Sequence, residues 1–158
     1  MNTRARALID ALHLQPRPEG GWYRRTFEST AADKEGNRLG SGIYFVLDGR
    51  EFSAFHRLQG DEVLHHYDGC AVEVVVLSDD GMTTLALGPD VLAGQQPQLP
   101  IPAGTLFAMQ PVEEEGYALL GCTVSPAFTF DSLSLPSRRT LQLQYPRFAG
   151  LIARLTRA

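Results

Sequence analysis

Three of the four histidines in this 158-residue chain, His56, His65 and His66, fall close together, and Glu62 lies among them. An imidazole exchanges protons near neutral pH, and a carboxylate beside it orients the ring or holds a cation with it. Strand alternation decides which of these side chains can meet. In Glu62-Val63-Leu64-His65-His66-Tyr67, residues Glu62, Leu64 and His66 share one face, and Val63, His65 and Tyr67 share the other. On the preceding segment Phe52, Ala54 and His56 share a face. If these faces line the inside of a β-structure, His56, Glu62 and His66 enter an apolar interior. A carboxylate buried there is costly unless it is paired, protonated or bound to a ligand. That cost marks the group as a functional candidate, set against the plainer alternative that Glu62 and His56 satisfy each other across neighbouring strands.

Other side chains extend this set. Tyr44 and Tyr117 fall in strand-like segments, where each can offer a phenolic hydroxyl to a pocket. Their alternative role is as amphipathic wall residues. Arg24 and Arg25 can clamp a phosphate or carboxylate, but neighbours on a strand point to opposite faces, so only one can face inward. Trp22, after Glu19-Gly20-Gly21, is expected to cover a cavity mouth or a dimer contact, or to pack on the body of the fold. Two histidines and one carboxylate suit a non-haem iron site. His66, however, lies four residues beyond Glu62, about 13 Å along an extended strand. Without a bulge the two cannot share one ion, and His56 with Glu62 remains a weak donor set for a divalent metal.

The elements that position these groups follow from the hydrophobic pattern. Asn2 or Thr3 can cap a short helix carrying Ala5, Leu8 and Leu12, which ends before Pro16. Period-two segments then follow at Trp22–Ser29, Ser41–Leu47, Phe52–Arg57, Glu62–Tyr67, Val72–Leu77, Thr83–Leu87, Leu99–Pro102, Thr105–Met109 and Tyr117–Val124. Turn signals such as Asp48-Gly49, Asp68-Gly69 and Asp79-Asp80-Gly81 punctuate them. Short strands at this spacing predict an all-β barrel or sandwich such as a jelly roll. Arg138–Gln144 and Leu151–Leu155 predict short C-terminal helical segments. With no repeat or linker, residues 1–158 are expected to form a single domain.

Bulk properties narrow the partners. A net charge of −4 disfavours a nucleic-acid polymer. No apolar run is long enough to span a membrane, and no leader pattern precedes the first helix, so a cytoplasmic protein is expected. Cys70 and Cys122 show no metal-binding spacing and are expected to be reduced, with Cys122 packed as a small hydrophobe. The acidic run Glu113-Glu114-Glu115 reads as a solvated hairpin tip.

Several segments resemble one family. Gly49, His56, Glu62 and Gly69 follow the first cupin motif, with six residues between Glu62 and Gly69. Pro102-Ala103-Gly104 matches the second motif, with Phe107 at its histidine position. The phrases PEGGWYRRTFES (18–29), SGIYFVLDGREFSAFHRL (41–58) and GCTVSPAF (121–128) resemble the cupin-5, or DUF985, family over nearly the whole chain. The resemblance implies a cupin jelly-roll β-barrel, often dimeric, with structural similarity to sugar-nucleotide epimerases and seed storage proteins. It brings no established reaction. Metal-dependent cupins hold their ion with three histidines and one glutamate. Here Phe55-His56-Arg57 replaces His-x-His and Phe107 replaces a further histidine, so no cofactor is firmly implied. The family pattern also has tryptophans near positions held here by Leu64 and Leu106, which implies a roomier pocket wall.

Three functions stand open on these grounds. The first is an isomerase or epimerase acting on a sugar or nucleotide sugar, with His56 and Glu62 as the acid–base pair and Tyr44 or Tyr117 as acid. The second is a non-catalytic ligand-binding or sensor cupin with the same pocket, lined by His66, Leu64, Phe107, Trp22 and one of Arg24 and Arg25. The third is a metal-dependent oxygenase. In each, the expected partner is a small polar molecule and the expected assembly a homodimer.

Overall fold

Asn2 starts the first element by accepting hydrogen bonds through Oδ1 from the backbone N–H groups of Arg4 (2.8 Å) and Ala5 (3.2 Å). This caps helix α1 (Thr3–Ala11), whose buried face carries Ala5 and Ile9. The computed structural model describes residues 1–157. After α1 the chain is almost entirely antiparallel strand. One sheet runs β1 (Gln15–Pro16), β2 (Trp22–Glu28), β3 (Ser41–Asp48), β10 (Tyr117–Ser125), β5 (Asp61–Gly69) and β8 (Gln98–Ile101) in spatial order. The other runs β11 (Leu133–Ser134), β4 (Ser53–Leu58), β9 (Leu106–Pro111), β6 (Val72–Ser78) and β7 (Gly81–Leu87). These are the strands expected from the sequence, with β1 and β11 added at the edges. The predicted all-β jelly-roll barrel is the observed architecture.

The barrel interior is apolar. Phe45 and Leu47 of β3, Leu64 of β5, Val74 of β6, Phe107 and Met109 of β9 and Leu120 of β10 pack into one cluster. Full burial of each such side chain stabilises the fold by about 1.5–3 kcal/mol. Each sheet also has a covered outer face. Helix α1 lies on the first sheet, over Val46, Trp22, Tyr44 and Tyr117. Helices α2 (Arg138–Gln144) and α3 (Ala149–Arg154) cover the second, through Leu141, Leu151 and Ile152 against Phe55, Val75, Leu77, Leu106 and Ala108. No helix among the described residues is long and apolar enough to cross a membrane.

Two irregularities set the faces. On β4, Ser53 pairs with Met109 and His56 with Phe107, so three steps on β4 match two on β9. This bulge breaks the strict alternation expected from the sequence. His56 points inward as expected, but Phe52 does not share its face and packs instead with the outer cluster around Phe55 and Leu141. On β5, Leu119 pairs with Asp68 and Leu120 with His66, which leaves Tyr67 as the bulged residue. Glu62, Leu64 and His66 keep the inward face, since their partners include Cys122 and Leu120 of the interior cluster.

The expected inward orientation of several aromatic residues is corrected by the register. Tyr44 pairs with Gly121 and Arg24, and packs under α1 rather than into the barrel. Tyr117 lies in the same outer cluster, where its hydroxyl donates to Asp68 Oδ2 at 2.8 Å. Trp22 pairs with Val46 and also belongs there, so it covers no cavity mouth. Arg24 shares that outer face. Arg25 pairs with Ile43 of the barrel interior, which makes it the inward member of the arginine pair.

Candidate functional site

Several buried polar groups of the barrel gather at one end. His56, Glu62 and Cys122 are each no more than 5% exposed. Glu19, 2% exposed, joins them from the turn before β2, and Arg17 ion-pairs with it through Nε and Glu19 Oε1. The turn takes this path because Gly20 and Gly21 have φ of +114° and +79°. A Cβ at Gly21 would lie 2.5 Å from the Phe45 ring, so only glycine lets the backbone press onto the barrel end. The Ala54 N–H donates to Glu19 O at 2.8 Å and ties the turn to β4.

Arg17 is the centre of this group. Its guanidinium lies 4.8 Å from the Phe128 ring centroid and 5.1 Å from that of Tyr23, with the side chain 8% exposed. Beside it, Arg25 donates to Phe128 O at 2.5 Å and pairs with Glu28 at 2.5 Å. Both arginines border an open cavity of about 380 Å³, with Gln15, Tyr23, Ile43 and Phe128 on its walls.

Burial changes the proton affinities. It pushes His56 down from 6.5 to about 4, because the apolar surroundings disfavour the imidazolium. His56 Nδ1 donates to Ala54 O at 2.7 Å, so the ring is the neutral tautomer with its lone pair on Nε2. Burial likewise pushes Glu62 up from 4.5 to about 7, although Arg17 and a hydrogen bond from the Cys122 thiol favour the carboxylate. Glu62 Oε2 is buried and has no hydrogen-bond partner among the described residues. Glu19 is raised too, again mainly by burial, and Cys122 is raised well above the ordinary thiol value.

The remaining expected residues separate. His66 accepts no role beside Glu62: its Nε2 bonds Cys70 O at 2.9 Å, further along β5. Leu64 is a fully buried interior residue. Phe107 packs on the His56 ring at 4.4 Å between centroids. Arg17, Glu19, Tyr23 and Phe128 were not expected at the site. The sequence signal for Tyr23 lay in the Trp22–Arg25 alternation, which offered two faces without choosing one. Arg17 and Glu19 sit in an aperiodic Pro- and Gly-rich turn, where no pattern reports burial.

The DUF985 profile of the cupin superfamily matches residues 6–136. The chain belongs to this cupin family. A crystal structure of a protein from Shewanella oneidensis is 37% identical, covering 99% of this chain and 98% of its own at a TM-score of 0.91. A hypothetical protein from Leishmania major is 25% identical over the full length of both chains, with a TM-score of 0.87. Oxalate decarboxylase from Bacillus subtilis shares the fold at 13% identity and a TM-score of 0.57; 89% of this cupin covers 36% of that chain. No curated protein matches it.

The residues present do not fit the metal arrangement of three histidines and a glutamate. Phe107 stands against His56 where a donor would be needed, and Phe55 faces the outer helices. His56 commits Nδ1 to a backbone carbonyl. Among the described residues no three His, Cys, Asp or Glu side chains form a metal-holding group. The weak pair expected from the sequence, His56 and Glu62, gains no third donor from His66.

Proposed function

We propose that this cupin binds a small anionic molecule at the open end of its barrel. The observation that carries the proposal is the buried Arg17 guanidinium, held between two aromatic rings beside Arg25 on the wall of an open cavity. Guanidinium groups recognise carboxylates and phosphates through directed N–H bonds, and aromatic walls suit the body of a sugar or nucleotide sugar. A thermal-shift screen of sugar phosphates, nucleotide sugars and organic acids tests it. A ligand at 100 times its dissociation constant adds about 2.7 kcal/mol of stability. Arg25→Gln is expected to weaken binding roughly tenfold, the cost of one charged hydrogen bond. No stabilisation by any anion, or binding indifferent to Arg25→Gln, refutes the proposal.

A second reading, an isomerase or epimerase, is favoured by the proton affinity of Glu62. A group that titrates at about 7 suits general acid–base work, whereas His56 at about 4 is a weak base. The acid–base role thus moves from the histidine to the carboxyl. Arg17 belongs both to the cavity wall and to the surroundings of Glu62, so the ligand must reach past it. Deuterium wash-in at ligand carbon, abolished in Glu62→Gln with binding retained, is the expected result for an enzyme. Binding without exchange leaves the anion-binding function and removes the catalytic one.

A further inference from the structure

Outside the barrel wall, a cavity of about 540 Å³ opens between β4, the turn at Pro18 and Glu19, and the C-terminal segment. Its lining divides by chemistry. Phe55, Leu135 and Pro136 give it an apolar side, while Arg138, Arg139 and Arg157 bring three guanidiniums to its rim. Among the described residues none of the three forms an ion pair with a carboxylate. In a chain of net charge −4, that is a local reversal of sign.

Two of the arginines are fixed by hydrogen bonds to neutral groups, and Arg157 also feels the Glu19 carboxyl through space. Arg138 donates from Nε to Thr156 Oγ1 at 2.9 Å and from Nη2 to Thr156 O at 2.7 Å. Arg157 donates to Phe52 O at 3.3 Å and lies 4.7 Å from the Phe52 ring centroid. Arg139 is exposed, and its side chain makes no hydrogen bond or ion pair among the described residues. Glu19 is the acidic residue on the wall, and its Oε1 is taken by Arg17 on the barrel side.

We infer that this cavity is a second ligand site, for a small organic anion with a carboxylate or phosphate head and an apolar body. The head meets the arginine rim, where planar guanidiniums match its oxygens. The body lies on Phe55, Leu135 and Pro136. The site is separate from the barrel mouth, because Phe55 belongs to the outer face of β4.

Phenyl phosphate and benzoate test the two head groups, with benzyl alcohol as the neutral counterpart. Amide chemical shifts of the full chain are followed during titration. Saturable shifts are expected from Leu135 to Gln142 and at Arg157 with one of the anions, and not with benzyl alcohol. Arg139→Ala, at an exposed position, is expected to weaken that anion roughly tenfold, while Arg25→Ala at the barrel mouth leaves it unchanged. Equal binding of benzyl alcohol, no saturable shift with either anion, shifts confined to the barrel mouth, or affinity unchanged by Arg139→Ala each overturns the inference.

Discussion

Glu62 and His56 make the stability of this cupin depend on pH in opposite senses. Glu62 moves from 4.5 to about 7 on folding, so the folded state holds its proton more tightly than the unfolded state. Its stabilising contribution is complete below pH 4.5 and is lost as pH rises through about 7. His56 moves from 6.5 to about 4, so the folded state resists protonation. Its contribution is complete above pH 6.5 and is lost as pH falls through about 4. At about 1.4 kcal/mol per pH unit, each displacement is worth about 3 kcal/mol. Between pH 4.5 and 6.5 the two slopes cancel in the wild-type protein. Glu62→Gln removes one and leaves stability rising with pH by about 3 kcal/mol, while His56→Asn removes the other and leaves it falling by a similar amount. Urea unfolding followed by circular dichroism at a series of pH values reads this directly. Taking each variant minus wild type cancels the titrating groups that do not feel the substituted side chain; Glu19, which does feel Glu62, changes with it. The slope is the readout, so a uniform loss from the smaller side chain at position 56 does not matter. Glu62→Gln and wild-type curves that run parallel would falsify the idea that burial holds the Glu62 proton.

The glycine turn and the cysteines give two further expectations. Gly21→Ala is expected to cost about 2–4 kcal/mol, combining a left-handed backbone with overlap on Phe45. Gly36→Ala, at φ +89° with open space around it, should cost only about 1 kcal/mol; equal losses in urea unfolding would show that the close approach to Phe45 is unimportant. Iodoacetamide near pH 8 is expected to alkylate half-buried Cys70 before Cys122, whose thiol is buried and raised well above its usual value. Peptide mass spectrometry checks the order, and rapid labelling of Cys122 in folded protein would contradict its hydrogen bond with Glu62.

Much of this barrel was legible because its strands alternate. The period-two pattern located β2 to β10 and put Glu62 on one face with Leu64 and His66, and the cupin spacing from Glu62 to Gly69 pointed to the fold. The site was harder to read, for identifiable reasons. Alternation assigns faces only within an unbroken strand, and the β4 bulge moves Phe52 to the other side from His56. Tyr44 and Tyr117 have the composition of pocket residues, yet α1 covers the face they occupy. Helix α1 was itself predicted; where it docks was not, because docking depends on the Asn2 N–H reaching Asp48 Oδ2 at 2.5 Å. Arg17 and Glu19 come from a turn whose path is set by two positive-φ glycines, and burial there leaves no periodic trace.

The same comparison gives a physical account of how the barrel keeps Glu62 without a metal-type donor set. A carboxylate in an apolar interior needs a cation, a proton or enough hydrogen bonds. In the metal arrangement implied by the cupin motifs, histidines gather an ion beside the glutamate. Here Phe107 fills the position of one donor and packs against the surviving His56, which removes the ion's ligands and drives His56 neutral. The positive charge comes instead from Arg17, which enters from the turn after β1 and is supported by Glu19 and two aromatic rings. Arg17 faces both buried carboxyls and Arg157 acts on Glu19 as well, yet burial raises both, so each keeps its proton to a higher pH than it would in water. An anion arriving at the mouth meets Arg17 most favourably when Glu62 is protonated. At the anion site proposed above, ligand binding and the proton on Glu62 would therefore be linked, and a bound anion would raise the pH at which Glu62 ionises.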